Sequence, residues 1–265
     1  MRFTKLSSTL LLAAVASASW LTTAGAVTLF DSSNILTGTG NGANGANTST
    51  IAANAGTYGF SANGAAATAS LADDFTLSAG STVNLITFDA YSTSTYPSPP
   101  TSPFTGATVS IWNAQPGTAG AAILFTSSTL SATAWTGIYR VTSTTLTNAQ
   151  RPVFSLSVSF NNVALAAGTY WASYSITGVA SPGVTTSIFT PPVMNKDGTL
   201  PIGNSVQSTD GGATWLAATD TTSATVVGVP LTVAGNAVPE PAPVVWLSLA
   251  TVGTVLMVRR RRTVA

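Results

Sequence analysis

Phe154-Ser155-Leu156-Ser157-Val158-Ser159-Phe160 decides the fold. Large apolar side chains take every second position and serine takes the positions between. Period two with one apolar face is the pattern of a half-buried β-strand. The alternation returns at Tyr170, Ala172, Tyr174 and Ile176, interleaved with Trp171, Ser173 and Ser175. It returns again at Ala107, Val109 and Ile111, interleaved with Thr108, Ser110 and Trp112. Further strands are read at 71–77, 83–91, 123–126, 135–141, 184–189 and 224–233, with Gly- and Pro-rich punctuation between them. No stretch shows a convincing amphipathic helix. The expectation is an all-β fold: a single antiparallel β-sandwich, jelly-roll-like, over residues 71–236.

Upstream of it, residues 27–70 are rich in Gly, Asn and Ala, with Gly38, Gly40, Asn41, Gly42, Asn44, Gly45 and Asn47 in close succession. Such residues favour turns and offer little to pack, so a loose, turn-rich leader is expected, with Tyr58 and Phe60 docking a short strand. The segment lacks an Asp at a recurring position, which argues against a calcium-binding repeat.

Both ends of the chain read as addresses. Residues 1–26 form a secretory signal peptide: Arg2 and Lys5 precede a small-and-apolar run, and Ala24-Gly25-Ala26 supplies a small-x-small cleavage site. Ala16-Ser17-Ala18 fits the same pattern. Residues 237–265 hold Val238-Pro239-Glu240-Pro241, an uncharged apolar run at 244–258, and then Arg259, Arg260, Arg261 and Arg262. The prolines keep the first piece extended. A helix over the 15-residue run covers roughly 22 Å, short of a core of about 30 Å unless Trp246 and the arginines extend it. Arginines beside a span mark the cytoplasmic side.

Tripeptide, span and Arg cluster in this order resemble the PEP-CTERM sorting signal of exopolysaccharide-producing Gram-negative bacteria. The resemblance covers about the last 28 residues, and Glu240 is the only glutamate in the chain. It implies export by Sec-type machinery, a membrane helix that anchors the precursor in the inner membrane, and an exosortase-like enzyme that cleaves near the motif. The mature form then stands at the cell surface or in the extracellular matrix, where exopolysaccharide is a candidate partner. The middle of the chain resembles choice-of-anchor ectodomains at Leu71-Ala72-Asp73-Asp74-Phe75, Gly137-Ile138-Tyr139-Arg140-Val141, Ala167-Gly168-Thr169-Tyr170-Trp171 and Asp210-Gly211-Gly212-Ala213-Thr214-Trp215. That likeness implies a β-sandwich and no particular activity.

Charge narrows the chemistry. Six of the nine basic residues lie in the two address segments. Residues 27–238 keep Arg140, Arg151 and Lys196 against seven Asp, which leaves about −4. A nucleic-acid partner has no electrostatic footprint there. The chain contains neither Cys nor His, which removes disulfides, the common zinc sites and His-based triads.

What remains is oxygen chemistry and aromatics. Asp73, Asp74 and Asp89 are the candidate calcium ligands, the one cofactor the sequence suggests. Asp73 and Asp74 are neighbours on a strand and face opposite ways, so an Asp-based glycan hydrolase would need Asp89 beside one of them. Trp112 and Trp171 fall on the hydroxyl-lined side of their strands, where exposed indoles could stack on a sugar in a carbohydrate-binding adhesin. No catalytic residue is assigned. The leading expectation is a non-enzymatic surface or matrix protein associated with exopolysaccharide and biofilm.

Overall fold

A computed structural model describes residues 26–51, 56–64, 68–179 and 188–238. The expected signal peptide up to residue 25, including Ala24, lies outside these residues, as do Pro239, Glu240, Pro241 and Arg259, Arg260, Arg261 and Arg262; Ala26 is described. The alternating segments form strands β1 Val27–Asp31, β2 Asn47–Thr50, β3 Phe60–Ser61, β4 Ser70–Leu77, β5 Ser81–Ser92, β6 Phe104–Trp112 and β7 Ile123–Ser127. They continue as β8 Leu130–Val141, β9 Pro152–Leu165, β10 Gly168–Val179, β11 Ile188–Thr190, β12 Val206–Ser208, β13 Leu216–Ala217 and β14 Leu231–Ala237. Among the described residues the one helical element is a 3-10 turn at Ala43–Gly45, and no helix is long and apolar enough to cross a membrane.

The strands make two sheets. The first runs β1-β14-β5-β9-β8-β2, with β11 also pairing β5 and β3; the second runs β13-β12-β4-β10-β6-β7. Their apolar faces meet in one main core. Ile86, Phe88, Phe154, Leu156 and Val158 come from the first sheet, and Leu71, Phe75, Val109, Ile111, Tyr174 and Ile176 from the second. The serine face of β9 points the other way, as its alternation requires. Each large side chain removed from water contributes about 1.5–3 kcal/mol, so the period-two pattern is what holds the layers together.

Three expectations are corrected. The sandwich is not purely antiparallel: β2 runs parallel to β8, pairing Asn47↔Ile138 through Thr50↔Val141. Residues 27–70 are not a loose leader in their described part. β1 pairs β14, β2 closes the far edge of the same sheet, and Thr48 and Ser49 are fully buried. Gly and Asn there supply the turns that fold the segment back. Asn44 takes φ 53°, and the hydroxyl of Thr48 donates to Asn41 Oδ1 at 2.8 Å. Finally, the strand expected at 224–233 begins only at Leu231, after Pro230, which has no N–H for a ladder. Val227 and Val229 still enter the core, through irregular bonds such as Val227 N–H to Ala218 O at 3.0 Å.

Candidate functional site

Asp73, Asp74 and Asp89 do not converge. On β4, Leu71, Asp73, Phe75 and Leu77 face the interior while Asp74 faces out. Asp73 is a buried structural acceptor: its Oδ2 takes the Val229 N–H at 2.7 Å and its Oδ1 the Asp74 N–H at 3.0 Å. Burial pushes its carboxyl up to about 7, against the lowering effect of those two bonds. Asp89 lies between Phe88 and Ala90, both of which belong to the core, so it points to the outer side of the first sheet. The expected calcium trio and the hydrolase pair are therefore split between two sheets. Among the described residues no group of three acidic side chains forms a metal cluster.

The indoles also differ from expectation. Trp171 and Trp112 sit opposite one another across β10 and β6, on the outer face of the second sheet, as their alternation implies. Trp171 is only 7% exposed, however, and packs with Ala72 and Val206. Trp112 donates its indole N–H to Ser173 Oγ at 2.8 Å and meets Trp215 edge-on, ring centroids 6.2 Å apart. Trp215 comes from the stretch before β13 and donates to Gly212 O at 3.2 Å. The three rings make a small second core under the returning chain, and Trp171 offers no face on which a sugar could stack.

Two polar centres escape the sequence reading. Arg140 is wholly buried on β8; its Nε donates to Tyr58 O at 2.9 Å and its Nη1 to Ser49 Oγ at 3.0 Å, while Nη2 has no partner among the described residues. Burial lowers its guanidinium to about 10. Arg151 lies over the Tyr58 ring at 4.4 Å and donates to Arg140 O at 3.2 Å. Asp220 accepts the N–H groups of Gly56, Thr57, Thr222 and Ser223 at 2.8–3.0 Å. Burial would raise its carboxyl, but the bonds from Ser223, Thr57 and Gly56 together outweigh this and bring it to about 2. Both groups clamp the chain at 56–58 to the sandwich. An Arg-Val step at a strand end and an Asp-Thr-Thr turn gave no sign of it, because the partners are 82 and 164 residues away.

The other centre is a cleft of about 350 Å³ on the outer side of the first sheet, lined by Asp31, Ser33, Asn34, Ile35, Leu36, Asp89 and Ile138. Asp31 Oδ1 accepts the Ser33 N–H at 2.9 Å and the Ser33 hydroxyl at 2.6 Å, which lower its carboxyl. Asp89 has no such donors among the described residues. Burial, and then the charge of Asp31, push it up to about 7.

Of residues 1–26 and 237–265 the structure describes only the inner ends. Ala26 is exposed ahead of β1, and Val238 is half exposed and donates its N–H to Gly80 O at 2.8 Å. Val27 pairs with Gly235, so both ends leave the first sheet side by side. No family model, curated protein or solved structure matches the chain.

Proposed function

We propose that the chain is an exported, non-enzymatic surface or matrix protein: a jelly-roll-like ectodomain delivered by a signal peptide and sorted by an exosortase-type enzyme through its C-terminal tail. The observation that carries this reading is the order of the tail, Val238-Pro239-Glu240-Pro241, then an uncharged run, then four arginines. A second feature supports it. With Val27 opposite Gly235, both address segments join the domain at one end and leave the loops of the other end free to meet a matrix.

The partner in this reading is exopolysaccharide. The outer face of the first sheet carries a row of hydroxyls, with Thr87 and Ser157 bonded at 2.8 Å and Thr232 reaching Asp31. Such a face is rich in hydrogen-bonding groups and suited to a hydrated polymer.

The test is the intact mass and location of the protein recovered from its own host. The expected product begins near Val27, ends near Pro241 and lies at or beyond the outer surface. A Glu240→Ala variant should stay full-length in the inner membrane. Wild-type protein found uncleaved in the inner membrane would overturn the reading.

A further inference from the structure

β5 changes neighbours beside Asp89. On one side it is paired by β14 up to Leu231↔Phe88, and then by β11 from Phe189↔Tyr91, which leaves the ladder open between them. The chain leaves β1 at Asp31 and crosses this opening. Ser32 N–H donates to Leu231 O at 2.9 Å, Asn34 and Met194 exchange two hydrogen bonds at 2.5 and 2.8 Å, and Ile35 packs on Tyr91 and Val153. The cleft described above lies under that crossing.

Asp89 is only 7% exposed, lines this cleft, and accepts no hydrogen bond among the described residues. The other buried carboxylates are satisfied, Asp73 by two N–H groups and Asp220 by four. Among the described residues no Lys or Arg lines the cleft, yet a second carboxylate does. An ionised carboxylate taken out of water with neither donor nor countercharge is costly enough that something must neutralise it.

We propose that this cleft is a divalent-cation site for calcium, with the carboxylates of Asp31 and Asp89 as its anionic ligands. The donor set is all oxygen. Asp31 uses Oδ1 for its own turn, and its Oδ2 accepts no hydrogen bond among the described residues. Asn34 spends its nitrogen on Met194 O, and its amide oxygen receives no donor among the described residues. Calcium accepts six to eight oxygens, carbonyls and waters among them, in loose geometry; magnesium demands a stricter octahedron. The ion would tie the crossing segment at 31–36 to the sheet at the point where the ladder is open. The site is independent of the tail and its processing.

The test uses the full chain, purified in detergent and stripped with EDTA, followed by calorimetric titration and thermal unfolding in CaCl2 or MgCl2. The expected result is one calcium site with Kd in the range of about 10⁻⁴–10⁻³ M, as in extracellular modules. Tm should rise by about 3–10 °C in 10 mM CaCl2 and by less than half of that in MgCl2. Asp89→Asn should abolish both heat and shift while matching or exceeding the wild-type Tm in EDTA. Asp31→Asn, at an exposed position, should weaken binding at least tenfold, and Asp197→Asn, outside the cleft, should leave it intact. A wild-type Tm indifferent to CaCl2, with Asp89→Asn more stable, would show that Asp89 simply carries a proton and would overturn the proposal. An undiminished shift in Asp89→Asn would overturn it too.

Discussion

The rings of Phe88 and Tyr174 stack across the interior at 4.1 Å, their planes 19° apart, one from each sheet. Both are buried, and an offset stack adds about 0.5–1.5 kcal/mol to the burial of the rings. Phe88→Ala should therefore destabilise the domain by about 3–5 kcal/mol, and Phe88→Leu by less, since the leucine refills part of the space. Urea unfolding followed by fluorescence measures both. A loss under 1 kcal/mol for the alanine variant would mean that the two sheets do not depend on this contact.

Acidity should stabilise this domain down to an unusually low pH. Asp73 and Asp89, raised mainly by burial to about 7, hold their protons in the folded state far above the ordinary 3.8. Their contribution is complete below about pH 4 and is lost as pH rises through about 7. Asp220, held at about 2, contributes the opposite way: its stabilisation is present above about pH 4 and lost as pH falls through 2. In EDTA, Tm should peak near pH 4 and fall from there to about pH 7. Asp73→Asn should flatten the decline toward pH 8, and a profile that rises from pH 5 to 8 would contradict the assignment.

Asp220→Ala should release the chain at 56–57. Four N–H groups lose a charged acceptor, at about 1 kcal/mol or more each when left unsatisfied, so a total loss of about 4 kcal/mol or more is expected. Limited proteolysis should then cut near Tyr58 well before the sandwich itself. Protection equal to wild type would show that Arg140 alone holds the segment.

Trp112→Ala should expose Trp171. It removes the bond to Ser173 and the edge contact with Trp215. The expected outcome is a loss of about 1–3 kcal/mol together with stronger acrylamide quenching of the remaining indoles. Unchanged quenching would mean that Trp215 covers the face unaided.

The strands that build the main core were legible because period two is a local signal: β9, β10 and β6 lie where their alternation puts them. The edges were not. Thr48 and Ser49 carry no apolar pattern, and their burial comes from a parallel pairing with Tyr139 and Arg140, some ninety residues on. The same limit governs the cleft. Asp89 is recognisable as a candidate ligand, but its companion Asp31 belongs to a strand that reaches it through β14. Trp171 was placed on the right face of its strand and given the wrong environment, because the cover arrives with Trp215 from elsewhere in the chain.

The position of β14 has a mechanical side. Force entering at Val238 runs along this strand, which is laddered to β1 on one side and, through seven registered pairs, to β5 on the other. A pull along its axis must slide both ladders at once instead of peeling them pair by pair. The domain thus behaves as a shear clamp. Load applied at Val238 is thereby shared along two ladders before any single pair of the sheet opens.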